Sequence, residues 1–71
     1  MEREYINSTM ISSIGYDYDS AILEVEFKSN HHVWNYYDVP SYVYDQFRIA
    51  ESLGKYFHSN IKNTYREARV G

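Results

Sequence analysis

The first half of the chain alternates between apolar and polar positions, which is the pattern of β-strands. The clearest run covers residues 21–28, where Leu23, Val25 and Phe27 alternate with charged side chains. Because successive side chains of a strand point to opposite faces, this run predicts a strand with one apolar face and one charged face.

Weaker alternation flanks this strand on both sides. One run begins at Met10 and the other covers residues 32–38, and turn-forming residues at 17–20 and 29–31 separate the three runs. The pattern predicts an antiparallel meander. If both hairpin loops contain an even number of residues, most apolar side chains share one face of the sheet. These side chains are Met10, Ile14, Tyr16, Leu23, Val25, Phe27, Trp34 and Tyr36.

The second half of the chain changes to the spacing of helices. Residues 39–41, Val-Pro-Ser, predict a helix entry, because proline is tolerated in the first turn. Ser52 predicts the N-cap of a second helix, and Gly54 in its first turn suggests close packing of the backbone there. The helical positions are Val43, Tyr44, Phe47 and Ala50 in the first helix and Leu53, Phe57, Ile61 and Ala68 in the second, with Tyr56 and Tyr65 at the edges.

The order of these elements predicts an α+β fold. It consists of a three-stranded antiparallel meander followed by two helices packed on one face, β-β-β-α-α. Residues 1–9 are polar and mixed in character, and we expect them to form a flexible N-terminal arm. Residues 10–71 then form a single domain.

The composition describes a small chain with few ways to reinforce its core. A core built from 71 residues is marginal, and the absence of cysteine excludes disulfides and thiolate metal sites. A cysteine-free chain suits a reducing compartment. No apolar run reaches the ~20 residues that span a bilayer, so we expect a complete, cytoplasmic protein with no membrane partner.

Charge and aromatic content favour a local binding surface over a general one. The net charge of −3 argues against general binding of polyanions. Residues 47–71 nevertheless hold five Lys or Arg side chains against two glutamates, a local charge of +3. Aromatic residues make up 18% of the chain, and they can build a small core or stack on bases and sugars.

An ordered set of short motifs covers most of the chain. The set consists of Ser8-Thr9, Ile14-Gly15-Tyr16-Asp17, Leu23-Glu24-Val25-Glu26-Phe27, Tyr36-Tyr37-Asp38-Val39-Pro40, Tyr44, Ser52, Gly54, Tyr56-Phe57, Ile61 and Tyr65. In this order the residues resemble the KTSC domain, a short module found alone in bacterial and phage proteins and at the C-terminus of some lysyl-tRNA synthetases. The central Tyr-x-Tyr of that family falls on Trp34-Asn35-Tyr36, so tryptophan stands at its first position. The resemblance implies RNA binding, a role suggested by the synthetase context.

Five basic side chains form the strongest candidate site. If the second helix runs unbroken to its last cation, steps of three and four place them in one arc opposite the apolar stripe. Such an arc would track phosphates, while a tyrosine at its edge stacks a base. A solvated face of an amphipathic helix explains the same pattern and is the commoner case. The cations are Lys55, His58, Lys62, Arg66 and Arg69, and the candidate tyrosines are Tyr44, Tyr56 and Tyr65.

Trp34 and Tyr36 have two alternative roles. On an open sheet they would stack on bases, as aromatic side chains do in RNA-binding sheets. The register places them instead under the helices, and Glu24 and Glu26 on the opposite face would repel phosphate, so core packing is favoured. The predicted core motif is Leu23, Val25, Phe27, Trp34, Tyr36 and Phe57.

No spacing in the chain indicates a metal site or a catalytic site. His31 and His32 are adjacent in a predicted turn, so their side chains diverge, and His58 has no carboxylate at ligand spacing. No arranged nucleophile and base are recognisable among the remaining residues. We therefore expect no metal, no cofactor and no enzymatic activity.

Two functions from different classes remain open. The first is a small non-enzymatic module that binds RNA or a nucleotide through the basic arc. The second is a homo-oligomeric protein-interaction module, with a variant that encloses a small nucleotide-like ligand between subunits, as in a phage accessory protein. Salt separates them, since phosphate contacts weaken as salt rises while an aromatic interface holds or tightens.

Overall fold

All 71 residues are described by a computed structural model, which contains one antiparallel sheet and two helices. The five strands run in the order β1-β2-β3-β4-β5, so each pairs with its neighbour in sequence. The strands are β1 (Glu4–Tyr5), β2 (Ile11–Asp17), β3 (Ile22–Phe27), β4 (Val33–Tyr36) and β5 (Glu67–Arg69). The helices are α1 (Ser41–Arg48) and α2 (Leu53–Tyr56), and α2 continues into a π-helical turn (Phe57–Ile61).

The α+β class is confirmed, but the predicted number of strands was too low. The sheet has two more strands than the three predicted, and both are short edge strands. In β1, Glu4 pairs with Ile14 and Tyr5 pairs with Ser13, within residues that showed no periodic pattern. In β5, Glu67 pairs with Tyr36, in a stretch assigned to the second helix. Strands of two or three residues are too short to show alternation, and pairing with a neighbour defines them.

The second helix ends well before Arg69, which corrects the prediction of an unbroken helix. The π-helical turn finishes at Ile61, and Lys62 is already extended, with φ −61° and ψ 132°. Asn63 follows with φ 63°, a left-handed conformation that asparagine adopts more readily than most residues. This reversal sends the chain back along β4, where β5 pairs.

The predicted register is confirmed across the central strands. The loops at residues 18–21 and 28–31 each contain four residues, an even number, and each ends on a left-handed residue. One apolar face therefore collects the pairs Ile14–Val25, Tyr16–Leu23, Leu23–Tyr36 and Val25–Trp34. A bulge between Ile11 and Ser13 makes one correction, because it places Ile11 rather than Met10 opposite Phe27.

Both helices cover this apolar face, and their predicted starts are confirmed. Pro40 is the N-cap of α1, and the Ser52 hydroxyl accepts a hydrogen bond of 3.3 Å from the Lys55 amide at the start of α2. The predicted core motif is buried or packed against the core, with Phe27 and Trp34 only partly covered. The buried cluster comprises Ile11, Ile14, Leu23, Val25, Tyr36, Val39, Val43, Tyr44, Phe47, Leu53, Phe57 and Ile61.

The opposite face of the sheet is polar and carries the N-terminal segment. Arg3 bonds to Glu24 at 2.8 Å and donates to the Ser13 hydroxyl at 3.0 Å. A Cβ atom at Gly15 would lie 2.5 Å from the carbonyl oxygen of Glu2, so only glycine lets this segment approach. No helix is long and apolar enough to cross a membrane.

Candidate functional site

The early end of the second helix separates the five basic residues that the sequence grouped. Lys55 lies on α2, His58 in the π-helical turn and Lys62 directly after it. Arg66 precedes β5, and its guanidinium carbon lies 4.9 Å from the centre of the Tyr37 ring. Arg69 lies on β5 and donates to the carbonyl oxygen of Gly71 at 2.8 Å. The predicted continuous arc is therefore absent.

Two of the five cations, His58 and Lys62, nevertheless meet at one pocket of about 280 Å³. We call it the helix-end pocket, because it lies between the end of the second helix and the sheet. Its apolar wall is formed by Met10, Phe27, Tyr36 and Phe57, and its polar groups come from Ser29, Asn30, His58, Lys62 and Glu67.

The aromatic wall of the helix-end pocket belongs to the core. Phe57 meets Phe27 at 5.3 Å between ring centres and Tyr36 at 5.6 Å, both edge to face. Phe57 is 4% exposed and Tyr36 is 2% exposed, so packing fixes both rings in place. Any ligand in this pocket therefore meets a preformed aromatic surface.

The polar rim of the pocket combines positions far apart in sequence. The Asn30 side-chain oxygen accepts a hydrogen bond of 2.9 Å from the His32 amide, which holds the side chain in the β3–β4 loop and leaves its N–H groups to donate. Glu67 is the strand partner of Tyr36 in the β4–β5 pair. Burial raises the pKa of Tyr36, and the negative charge of Glu67 raises it further, so this phenol stays protonated at neutral pH.

The charges of the helix-end pocket are not neutralised by ion pairs. The only two ion pairs of the molecule are Arg3–Glu24, at 2.8 Å, and Arg48–Glu4, at 3.3 Å. His58, Lys62 and Glu67 belong to neither. The pocket therefore offers an unpaired lysine and a histidine beside an aromatic wall, which is a combination suited to a planar anion.

A second pocket, of about 310 Å³, lies where the N-terminal segment passes α1. We call it the tyrosine pocket. Tyr16 stacks on Tyr44 with 5.0 Å between ring centres, and Tyr18 meets the edge of this stack at 4.8 Å from Tyr16. Its two cations, Arg3 and Arg48, both take part in the ion pairs described above. Arg48 also lies over the Tyr44 ring at 5.9 Å.

None of the three tyrosines predicted to stack a base lines the helix-end pocket. Tyr44 is 8% exposed and lies in the tyrosine pocket. Tyr56 stacks on Phe47 at 5.6 Å, and its hydroxyl bonds to the Val43 carbonyl at 3.3 Å. Tyr65 is half-buried against the core. Base stacking by these side chains remains a prediction.

Sequence reasoning missed four contributors to the helix-end pocket. Phe57 and Phe27 were assigned only to the core, although packed rings also form pocket walls. Glu67 was placed on a helix, where it would not have faced Tyr36. Asn30 was recognised as a turn residue, and its bond to the following backbone is the signal of a fixed side chain. No group of three or more metal-ligating side chains forms in the chain.

Fold and site together define a class: a small α+β domain in which an antiparallel meander carries two helices on one face and a pocket beside the second helix. The family model of the KTSC domain matches residues 7–65, and the chain belongs to this family.

Several relatives share the domain over nearly their whole length. A crystal structure of a KTSC domain protein from Yersinia pestis superposes with a TM-score of 0.94, at 33% identity, covering 99% of this chain and 97% of the other. An uncharacterized protein of Stutzerimonas stutzeri is 38% identical over 71 residues, which is 99% of each chain. A protein of Tsukamurella paurometabola is 33% identical over 61 residues, covering 86% of this chain and 90% of its own.

Proposed function

We propose that this domain is a non-enzymatic module that binds RNA or a nucleotide in the helix-end pocket. The observation that carries the proposal is the placement of two basic side chains without ion-pair partners, His58 and Lys62, beside a buried aromatic wall. The pocket volume of about 280 Å³ lies just below the range of small-molecule sites, ~300–1,000 Å³. That size suits one nucleotide unit and not a duplex.

Each part of the pocket has a role in this proposal. Lys62 and the histidine ring of His58 hold a phosphate group, because a free ammonium and an imidazole both donate to phosphate oxygens. Phe27, the phenylalanine of the wall that is only partly covered, packs against the base or the sugar, as aromatic side chains do in sites for single-stranded nucleic acid. Lys55, Arg66 and Arg69 lie outside this pocket and contribute long-range attraction only.

The proposal assigns binding without catalysis to this pocket. Catalytic nucleophiles are activated by a base within hydrogen-bond reach. Neither His58 nor Lys62 shares a side-chain hydrogen bond with a serine, threonine or carboxylate, and the Asn30 side chain bonds to the His32 backbone amide. The pocket groups are arranged to contact a ligand from several sides.

The experiment compares two substitutions that change the charge by the same amount. One lies on the second helix and the other directly after its end. Lys62→Glu reverses a pocket cation, while Lys55→Glu reverses an exposed cation outside the pocket. Both side chains are exposed, so each change should cost under ~0.5 kcal/mol of stability. Binding of mononucleotides and short single-stranded RNA is measured by calorimetry at low and high salt.

We expect wild type to bind with an affinity that falls as salt rises, by roughly one unit of log–log slope for each phosphate contact. Lys62→Glu should abolish this binding and Lys55→Glu should change it little. The proposal is overturned if wild type binds neither ligand at low salt, or if Lys62→Glu binds as tightly as wild type.

A homo-oligomeric interaction module is the second candidate, and one observation favours it. The edge strands β1 and β5 each have a strand partner on one side only. The free outer side of an edge strand is a template for pairing with another chain. Tyr5 on β1 is 83% exposed. Light scattering across a hundredfold dilution series tests this candidate, since a monomeric mass throughout would exclude it. An aromatic interface should also persist at high salt, where phosphate binding weakens.

A further inference from the structure

Glu67 is the one carboxylate in the helix-end pocket, and the proposed phosphate ligand does not explain it. Glu67 lies on β5 and pairs with Tyr36 on β4. Its carboxylate forms no ion pair, although the basic residues His58 and Lys62 line the same pocket. Burial raises the pKa of Tyr36 and the negative charge of Glu67 raises it further, so the exposed Glu67 carboxylate lies near that phenol. A phosphate would be repelled there.

This distribution of charge gives the pocket a direction. The basic side chains of His58 and Lys62 come from the end of the second helix, and the carboxylate comes from a different element, β5. A nucleotide that places its phosphate on the cations must place its base toward Glu67. The base therefore meets an acceptor of two hydrogen bonds, because an ionised carboxylate only accepts.

From this geometry we infer that Glu67 selects guanine among the bases. The inference rests on the proposed nucleotide binding and names its specificity. Guanine carries two neighbouring donors on its Watson–Crick edge, the N1–H and the N2 amino group, which match the two oxygens of a carboxylate. The Asn30 amide lines the same pocket and can donate to the guanine O6 atom.

The other bases fit this wall less well. Adenine places the acceptor N1 beside its amino group, so one carboxylate oxygen would face a lone pair. Uracil has a single N–H between two carbonyl oxygens, and both oxygens would be repelled. Cytosine offers its N4 amino group but carries an acceptor, N3, beside it. Only guanine presents two adjacent donors.

The test compares nucleotides that differ in the groups on their bases. It also compares the same glutamate-to-glutamine change at two positions, one inside the pocket and one outside it. GMP and IMP differ only in the N2 amino group of the base, and AMP serves as the second comparison. Glu67→Gln replaces one acceptor oxygen by a donor. Glu51→Gln makes the same change at an exposed glutamate outside the pocket. Affinities are measured by calorimetry, and circular dichroism confirms that each variant is folded.

We expect wild type and Glu51→Gln to bind GMP at least about tenfold more tightly than IMP or AMP, as for a bidentate contact. In Glu67→Gln this preference should fall to about threefold or less. The inference is overturned, and the proposed function stands, if wild type binds all three nucleotides alike or if Glu67→Gln keeps the full preference. If wild type binds none of them and no short RNA, the proposed function fails and the inference fails with it.

Discussion

The helix-end pocket and the tyrosine pocket are built from the same materials and differ in how their charges are used. Each has an aromatic wall and two basic side chains. In the tyrosine pocket, Arg3 and Arg48 pair with glutamates and hold the N-terminal segment against the sheet. In the helix-end pocket, His58 and Lys62 have no such partner. An aromatic and basic composition therefore does not define a binding site until the ion pairs are known.

The two pockets also arise from different features of the fold, one structural and one a candidate for binding. The tyrosine pocket exists because β1 crosses beside Gly15 and Arg48 lies over the Tyr44 ring. The helix-end pocket exists because the second helix stops at Ile61, beside the rings of the core that line the pocket. The predictions below test these two origins.

The largest expected effect is on Phe57, the ring that joins the core to the helix-end pocket. Phe57→Ala removes a side chain that is 4% exposed and contacts two other rings. We expect a loss of ~3–5 kcal/mol in the free energy of unfolding, a large part of the stability of a domain this small. Chemical denaturation measures it. Tyr18→Ala, at an exposed ring of the tyrosine pocket, is the control and should cost far less.

A substitution at Gly15 should break the tyrosine pocket and leave the helix-end pocket intact. In Gly15→Ala, the new methyl group meets the Glu2 carbonyl oxygen at 2.5 Å, so β1 must move. We expect a cost of ~1–3 kcal/mol and rapid amide hydrogen exchange at residues 4–6.

The matched control for that substitution is Gly54→Ala. Its methyl group would lie 3.6 Å from the Met10 sulfur, an ordinary contact, so the predicted need for close backbone packing at Gly54 is not supported. We expect a neutral or stabilising effect of up to ~1 kcal/mol, since alanine favours helix over glycine. If both alanine variants lost stability equally, the close approach at Gly15 would not be the cause.

Alkaline pH should weaken the fold through Tyr36. Burial, aided by the charge of Glu67, raises its pKa above the ordinary value of 10.0, so the folded state holds this proton more tightly than the unfolded state. Stability is therefore fully present below about pH 10 and is lost as the pH rises above it. Denaturation midpoints measured between pH 8 and 11, at intervals of about half a pH unit, follow this loss of stability. Tyr36→Phe should lessen the pH dependence, and an unchanged profile would contradict it.

The smallest expected effect belongs to the Arg48–Glu4 ion pair of the tyrosine pocket. Both side chains are about half exposed, at 45% and 54%, and such pairs contribute ~0.2–1 kcal/mol. A double-mutant cycle with Arg48→Ala and Glu4→Ala should give a coupling in that range. Neither change should alter nucleotide binding at the helix-end pocket. A loss of binding in Arg48→Ala would instead assign the ligand to the tyrosine pocket.

Local sequence rules succeeded where one or two residues decide the backbone. Pro40 and Ser52 start the two helices as predicted, because a missing N–H and a side-chain cap act within one turn. The register of β2, β3 and β4 followed from alternation alone, since a slip of one residue would have exposed Leu23 or Val25. The bulge between Ile11 and Ser13 shifted the register only at the start of β2.

The prediction of the site failed where a local pattern fitted two structures. The residues from Lys62 to Arg69 repeat at helical spacing, yet Asn63 turns the chain and residues 67–69 pair with β4. Of the five predicted cations, only His58 and Lys62 remain in one pocket, because they are four positions apart across the end of the helix. The other charged or amide side chains of the pocket, Glu67 and Asn30, come from β5 and from the β3–β4 loop.

The sequence by itself determined the apolar face, the hairpin loops, both helix starts and membership of the KTSC family. These features depend on neighbouring residues and on periodicity, and both can be read from the sequence without the tertiary structure. The tertiary structure alone decided the two edge strands, the end of the second helix and the meeting of His58, Lys62 and Glu67. Strands as short as β1 and β5 gain their stability from the edge they pair with, and no local pattern specifies that edge.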